Sequence, residues 1–228
     1  MKIIDAHSHI DYITHVCQPD VVGTICCTTQ EKQWSELSNL MKTDKRIYGA
    51  FGIHPWFAVD ATDDFSSRLE KLLRCNSNYM IGEIGLDKYK PNMDKQYDVF
   101  IKQFDLAAKL KRTVFLHCVG AWDKILHVFK QYDMSKLPII VAHGFNANQT
   151  ILEKLLQYNN IMFSFNKIDI NHRTCRIEQI PCDKILVETD GKSDENLIKN
   201  IKHLAEITNN IDIDKIVFNN TQRVLKNE

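Results

Sequence analysis

The residues best suited to chemistry in this chain are histidines and carboxylates that directly follow short apolar runs. The first run, residues 2–6, leads into His7 and His9, and side chains two apart on an extended chain point to the same side. Five further residues of these types follow later runs: His54, Glu83, His117, His143 and Asp190. Imidazoles and carboxylates that meet at one point are typical ligands of divalent cations. The set therefore predicts a metal site if the fold brings these residues together.

Each of these residues, taken alone, also has an ordinary structural role open to it. A histidine at the end of a strand is often simply hydrogen-bonded, Glu83 could cap the helix that follows, and Asp190 could occupy a turn. Such roles would have to hold independently at six strand ends, which favours a shared metal site. The other histidines lie in helical or polar segments, and we expect them at the surface: His15, His127, His172 and His203.

The elements that must position these residues alternate along the chain. Most of the predicted strands are continuous apolar runs, as expected for strands covered on both faces. There are eight of them, at 2–6, 21–27, 46–52, 79–83, 112–117, 138–142, 161–165 and 184–189. Apolar residues at three- and four-residue spacing predict helices between them. These helices fall at 30–42, 64–75, 93–111, 121–132, 148–158 and 195–208, whereas 166–180 is too short and mixed to indicate one.

Eight strands alternating with helices predict an α/β protein built as a compact (β/α)8 TIM barrel, a single domain over residues 1–228. A doubly wound open sheet is the alternative architecture. In a barrel all the carboxyl ends of the strands converge on one face, where such enzymes keep their active sites. The predicted metal ligands would then meet there.

Charge and cysteine content narrow the possible partners and the compartment. Lys+Arg and Asp+Glu are both 29, so there is no long-range attraction to a polyanion or a membrane surface, although phosphates could still bind locally at metal ions. The seven cysteines form no CxxC pair, and no apolar run approaches membrane-spanning length. We expect reduced thiols, a cytoplasmic location and no membrane partner.

Several motifs, in order, carry a family resemblance: "DAHSHID", "GIHPW", "GEIGLD", "QFDLAAKLKRTVFLH", "AHGF", "ILVETD" and the closing "NNTQRVL". Over nearly the whole chain they resemble the TatD-type metal-dependent hydrolases, a branch of the amidohydrolase superfamily. The resemblance implies a barrel with two divalent ions and deoxyribonuclease activity of 3′ to 5′ exonuclease character. It also implies that His7, His9, Glu83 and Asp190 hold one ion. Glu83 would reach the second ion beside His117 and His143, with His54 near the substrate.

Two divalent ions suit phosphodiester hydrolysis, because they lower the pKa of a bound water and stabilise both the attacking and the leaving oxygen. Asp190 would orient or deprotonate the water. His54 could donate to a substrate phosphate or cap its own loop. Four histidines favour Zn²⁺ or Mn²⁺, while the family resemblance suggests Mg²⁺.

Two departures from the family pattern bear on the substrate. Val119 stands where relatives usually have an arginine, and Gly191, Lys192 and Ser193 replace an Ala-Pro-Tyr sequence. An arginine could bind phosphate through paired hydrogen bonds, and a tyrosine could stack on a base. DNA or an oligonucleotide is the expected substrate. The alternatives are a hydrolase of a small amide, ester or phosphomonoester, or a non-catalytic binding protein on a retained barrel.

Overall fold

The strands form one parallel sheet in which each strand pairs with the next along the chain. The computed structural model describes residues 1–15, 19–169, 175–192 and 195–227. Its strands are β1 (Ile3–Ser8), β2 (Val21–Cys27), β3 (Ile47–Phe51), β4 (Met80–Asp87), β5 (Val114–Val119), β6 (Ile140–Ala142), β7 (Ile161–Phe165) and β8 (Ile185–Val187). The chain after β8 returns to β1, where the Thr189 amide donates to Asp5 Oδ1 at 2.9 Å and the Asp190 amide donates to the His7 carbonyl at 3.0 Å. The sequential order confirms the (β/α)8 barrel and rules out a doubly wound sheet, in which strand order reverses.

All six predicted helices are present, with ends shifted by a few residues. The described α-helices are α1 (Trp34–Thr43), α2 (Phe65–Cys75), α3 (Met93–Leu110), α4 (Trp122–Phe129), α5 (Gln149–Leu155), α6 (Glu195–Thr208) and α7 (Ile213–Lys226). Of the segment 166–180, the described part contains a single 3₁₀ turn, Ile177–Gln179, and residues 170–174 lie outside the description. Among the described helices, none is long and apolar enough to cross a membrane.

Helix α7 was not predicted from the sequence. Its buried face carries Ile213, Val217 and Val224 at helical spacing, but Asn220 and Thr221 are also buried on it. The apolar residues still recur at helical spacing, so the signal of an amphipathic helix was present in the sequence and this helix was missed.

Alternate residues of the strands supply two separate apolar layers. One cluster fills the interior of the barrel and includes Ile25, Phe115 and Val141. The other lies between the strands and the helices and contains their sequence neighbours, such as Cys26 and Leu116. Burial of both faces explains why the strands are continuous apolar runs.

The fourth and fifth strands run further than the sequence predicted. Their pairing continues from Ile84 opposite Leu116 to Asp87 opposite Val119. The prediction that β4 ends at Glu83 was therefore wrong, because this charged residue lies within the strand and is 2% exposed. Gly85 permits the extension: it has φ +145°, and a Cβ there would overlap the backbone oxygen of His117.

Candidate metal centre

Glu83 lies at the centre of the predicted site and faces a different set of histidines with each of its oxygens. Oε2 lies 3.4 Å from His7 Nε2 and 3.6 Å from His9 Nε2. Oε1 faces three imidazole nitrogens: His54 Nε2 at 3.1 Å, His117 Nδ1 at 2.8 Å and His143 Nε2 at 2.8 Å. The carboxylate thus divides the imidazoles into two groups, one on each side of it.

Asp190 belongs to the group of His7 and His9. Its Oδ1 lies 3.6 Å from His9 Nε2 and 3.9 Å from His7 Nε2. Its other oxygen accepts a hydrogen bond from the Asn166 side chain at 3.1 Å, so the carboxylate is held in one orientation. Lys192 Nζ lies 3.6 Å from the same Oδ2, although its side chain is 63% exposed.

The structure brings all seven sequence-predicted site residues to the carboxyl end of the barrel. Ligand atoms lie within 4.8 Å of one another in three overlapping groups: His7 with His143 and Asp190, His7 with His9 and Glu83, and His54 with Glu83 and His117. A carboxylate common to two of these groups has the arrangement that a bridging ligand of two cations requires.

Unpartnered nitrogen atoms in the cluster fit bound cations. Both ring nitrogens of His7 and Nε2 of His117 are buried and have no hydrogen-bond partner among the described residues. Buried polar atoms without a partner are costly and rare in folded proteins. A cation beside Glu83 would give Nε2 of His7 a partner, because that nitrogen lies 3.4 Å from Glu83 Oε2, so the donor set fits a metal ion there.

Hydrogen bonds on the far side of the rings fix their orientation. Nδ1 of His9 lies 3.2 Å from the Cys27 carbonyl, to which it donates, leaving Nε2 as the atom that faces the carboxylates. Nδ1 of His54 accepts a hydrogen bond from the Trp56 amide at 3.1 Å, which makes Nε2 the protonated nitrogen. His54 therefore caps its loop, which is one of the two roles that the sequence left open, while its Nε2 faces Glu83.

The surrounding imidazoles keep both carboxylates ionised. Burial opposes ionisation of Glu83, but the imidazoles of His143 and His54 outweigh it and hold its pKa well below the usual range. Burial acts in the same way on Asp190, and a hydrogen bond from His9 more than compensates, so that its pKa is also below the usual range. Both side chains are negatively charged at neutral pH.

The pKa values of the histidines in the cluster shift in opposite directions. Burial disfavours the imidazolium of His143, but the charges of Glu83 and Glu188 raise its pKa well above 6.5. Burial also disfavours the imidazolium of His9, but its hydrogen bond to Asp190 outweighs burial and raises its pKa. Burial lowers the pKa of the other two shifted rings, His7 and His54.

Sequence analysis missed Glu188, the buried carboxylate behind His143. Its Oε1 lies 3.3 Å from His143 Nδ1 and accepts a hydrogen bond from the Gly144 amide at 2.7 Å. A signal was available, because Glu188 and Asp190 are two residues apart after an apolar run, as are His7 and His9.

The departures from the family pattern lie on the rim of the site. Val119 is 39% exposed at the end of β5. Gly191 has φ +70°, and a Cβ there would lie 2.6 Å from the ring of Tyr12, so a larger residue would displace that ring. Ser193 lies outside the described residues.

The remaining histidines do not join the cluster in the described part of the chain. His127 is exposed on α4, as predicted. His203 is half-buried rather than at the surface, because its Nδ1 lies 2.7 Å from the Ile168 carbonyl. His172 and the side chain of His15 are outside the description.

Comparisons with known proteins agree with this geometry. Residues 4–226 match the family model described as TatD related DNase. The chain is 31% identical over 178 residues to the 3′-5′ ssDNA/RNA exonuclease TatD of Erwinia billingiae, covering 75% of this chain and 66% of that protein. It is 31% identical over 167 residues to the human 3′-5′ RNA nuclease TATDN2, covering 69% of this chain but 21% of the relative.

Solved structures share the fold. YJJV, a TatD homolog from Escherichia coli, superposes with a TM-score of 0.84 at 22% identity and 97% coverage of both chains. A TatD family hydrolase from Entamoeba histolytica gives a TM-score of 0.80 at 13% identity and 98% coverage of both.

Proposed function

Because this chain belongs to the TatD related DNase family, we propose that it is a divalent-metal-dependent phosphodiesterase that degrades single-stranded DNA or oligonucleotides from the 3′ end. The observation that carries the proposal is the cluster around Glu83, in which imidazoles and a second carboxylate surround one buried carboxylate. The printed activities of the Erwinia and human relatives support a nucleic-acid substrate.

Two divalent ions would occupy the two sides of Glu83. His7, His9 and Asp190 would hold one of them, and His117 and His143 the other, with Glu83 shared. When bound, such a pair of ions lowers the pKa of a water and neutralises charge on the attacking and leaving oxygens. The imidazole-rich donor set favours Zn²⁺ or Mn²⁺, and Mg²⁺ remains the choice suggested by family resemblance.

The protein's own side chains then act on the water and the substrate. Asp190 is ionised and held by Asn166, so it can accept a hydrogen bond from the attacking water and orient it. His54 carries its proton on Nε2, and the low pKa that burial gives it keeps the ring neutral. Nε2 lies 3.1 Å from Glu83 Oε1, and once Glu83 holds a metal ion the proton on Nε2 would be available for a hydrogen bond to a phosphate oxygen.

Replacement of Asp190 by asparagine tests the proposed function. On a single-stranded oligonucleotide with saturating metal, we expect Asp190→Asn to lower kcat by about 10²-fold or more, the scale of a lost general base. The fold should persist, since the amide has the same shape, and His127→Ala is the matched surface control. Elemental analysis should approach two ions per chain. Turnover by Asp190→Asn at the wild-type rate, or trace metal at every concentration, would contradict the proposal.

Val119 is expected to limit affinity for long strands. A charge-assisted hydrogen bond to phosphate is worth roughly 1.5–3 kcal/mol, or about ten- to a hundredfold in binding. Because the side chain is 39% exposed, an arginine has room there. Val119→Arg should raise kcat/KM on single-stranded DNA by about that factor and change turnover of a dinucleotide little. Robust wild-type cleavage of long DNA that arginine does not improve would show that the strand is bound elsewhere.

A second candidate, hydrolysis of a small ester or amide, is favoured by the same departures at Val119 and Gly191. An oligonucleotide, a dinucleotide, a phosphomonoester and small amides compared on one metal-loaded sample would discriminate the two. The seven cysteines form no CxxC pair, which supports a reducing compartment, and we place the enzyme in the cytoplasm.

A further inference from the structure

Exposed apolar side chains concentrate around the mouth of the metal centre. Single exposed apolar residues are common on proteins, but a group of them on one face indicates an interaction site. In the described part of the chain, five large apolar side chains that are exposed lie at or just after the carboxyl ends of strands: Tyr12, Trp56, Val59, Tyr89 and Val119. Trp56 is the largest of these and lies two residues after a proposed site residue, His54.

The indole of Trp56 is held in one orientation although half of it is exposed. Its Nε1 donates a hydrogen bond to Asp87 Oδ2 at 2.7 Å, and Asp87 is 3% exposed at the end of β4. The ring also packs perpendicular to that of His54, with 5.1 Å between the centroids. A fixed aromatic surface needs little ordering when a ligand arrives.

One face of this indole is covered by a cation that a ligand can displace. Lys90 Nζ lies 4.2 Å from the ring centroid, and the Lys90 side chain is otherwise exposed. An exposed cation–π contact is weaker than the stacking of a nucleobase on an aromatic ring. A base can therefore replace the ammonium group, which is then free to approach a neighbouring phosphate.

We propose that Trp56 binds a nucleobase of the single strand next to the linkage that is cleaved, with Lys90 moving to the backbone phosphate. This inference rests on the proposed nuclease function and adds a substrate-binding residue to it. Stacking on an aromatic ring tolerates every base, so the site would accept unpaired strands of any sequence. Such a platform offers an apolar contact on a rim where Val119 provides no charge.

Tryptophan fluorescence gives a test that does not depend on turnover. The three tryptophans are Trp34, Trp56 and Trp122, and their exposures are 6%, 51% and 7%. The metal-loaded protein is titrated with a single-stranded oligonucleotide whose 3′ linkages are phosphorothioates, which slow hydrolysis. We expect saturable quenching, which the same strand with abasic sites at its 3′ end should not produce. Trp56→Phe should abolish the quenching but retain affinity, because phenylalanine still stacks.

Kinetics on cleavable strands separate substrate binding from a structural effect. Trp56→Ala should raise KM for oligonucleotides by about five- to a hundredfold with little change in kcat, the scale of one lost base stack. Wild type acting on the abasic strand should show the same increase without any mutation. Ile211→Ala, an apolar residue that is 92% exposed between α6 and α7 and outside this group, is the control and should leave KM unchanged.

The outcomes distinguish this inference from the proposed function. Equal quenching and equal KM for normal and abasic strands, with efficient cleavage of both, would overturn the role of Trp56 and leave the nuclease intact. If no phosphodiester is cleaved with any metal, the nuclease proposal fails. In that case, base-dependent quenching would still support Trp56 as a binding residue, and quenching without base dependence would overturn both.

Discussion

At the scale of single residues, the buried carboxylate of Glu188 governs how His143 meets the metal centre. A metal-ligating histidine is usually held by an acceptor on its other ring nitrogen, which sets the tautomer and increases the basicity of the ligand. Glu188 Oε1 occupies that position 3.3 Å from His143 Nδ1, and Oε2 is buried without a hydrogen-bond partner in the described part of the chain. Its negative charge is therefore directed mainly at the histidine.

We expect Glu188→Gln to weaken metal binding by about 10–100-fold, the usual effect of losing such a partner. The glutamine oxygen can still accept from the Gly144 amide, so folding should survive, but the loss of the charge removes the support for His143. Metal titration of the apo protein measures the change. Glu206→Gln, on the exposed side of α6, should leave affinity unaltered, and equal affinities for the two variants would contradict the role assigned to Glu188.

The sequence predicted which residues would meet in the candidate site, because polar residues that follow apolar strands are brought to the same face of the barrel. It did not predict Glu188, which lies inside the predicted strand 184–189, or Asn166, which follows the strand 161–165 but is neither a histidine nor a carboxylate. Nor could it show that the two oxygens of Glu83 face different histidines, which depends on the relative placement of five separate strands.

At the scale of secondary-structure elements, α7 holds β8 and the 3₁₀ turn that precedes it (Cys182–Lys184) in place. The helix packs against β8 and β1. Within it, the buried side-chain amide of Asn220 donates to the carbonyls of Cys182 and Ile185, both at 2.8 Å. A buried polar residue on the apolar face of the helix therefore attaches it to the barrel.

Removal of that amide should destabilise the protein. Asn220→Ala leaves two carbonyls without their donor, and each such loss costs about 1–3 kcal/mol, so we expect roughly 2–4 kcal/mol less free energy of unfolding. Denaturant unfolding measures this. The neighbouring exposed residue gives the control, because Gln222→Ala should change the free energy of unfolding by less than about 0.5 kcal/mol. A loss of the same small size in Asn220→Ala would show that α7 is held by apolar packing alone.

The ends of the strands were harder to predict than their existence, because they depend on contacts between distant parts of the chain. Burial of a charged residue is rare, so Glu83 was taken as the end of its strand. The strand continues to Asp87 because the surrounding histidines compensate the buried charge, which is a tertiary effect. The extension carries Asp87 to the position where it holds Trp56, so the rim of the site depends on it.

At the scale of the whole molecule, the metal-free barrel has protonated histidines and ionised carboxylates in contact at the carboxyl end of its strands. The raised pKa values of His9 and His143 mean that protons occupy positions that metal ions would take. Contacts of these imidazolium groups with carboxylates stabilise the metal-free fold fully below the ordinary histidine pKa of 6.5, and that stability is lost as pH rises through the raised values. Metal binding has the opposite dependence, because it requires neutral imidazoles.

We therefore expect the stabilisation by metal to increase with pH. An ion at about 100 times its Kd adds roughly 2.7 kcal/mol, which for a chain of this length is a rise in Tm of about 5–10 °C. Thermal unfolding with and without metal at pH 6 and pH 8 should show a distinctly larger rise at pH 8, because fewer protons then compete with the metal for the imidazole nitrogens. His127→Ala should reproduce the wild-type shifts, because that histidine is exposed on α4. A metal-induced rise in Tm that is the same at both pH values would mean that His9 and His143 do not bind the ions.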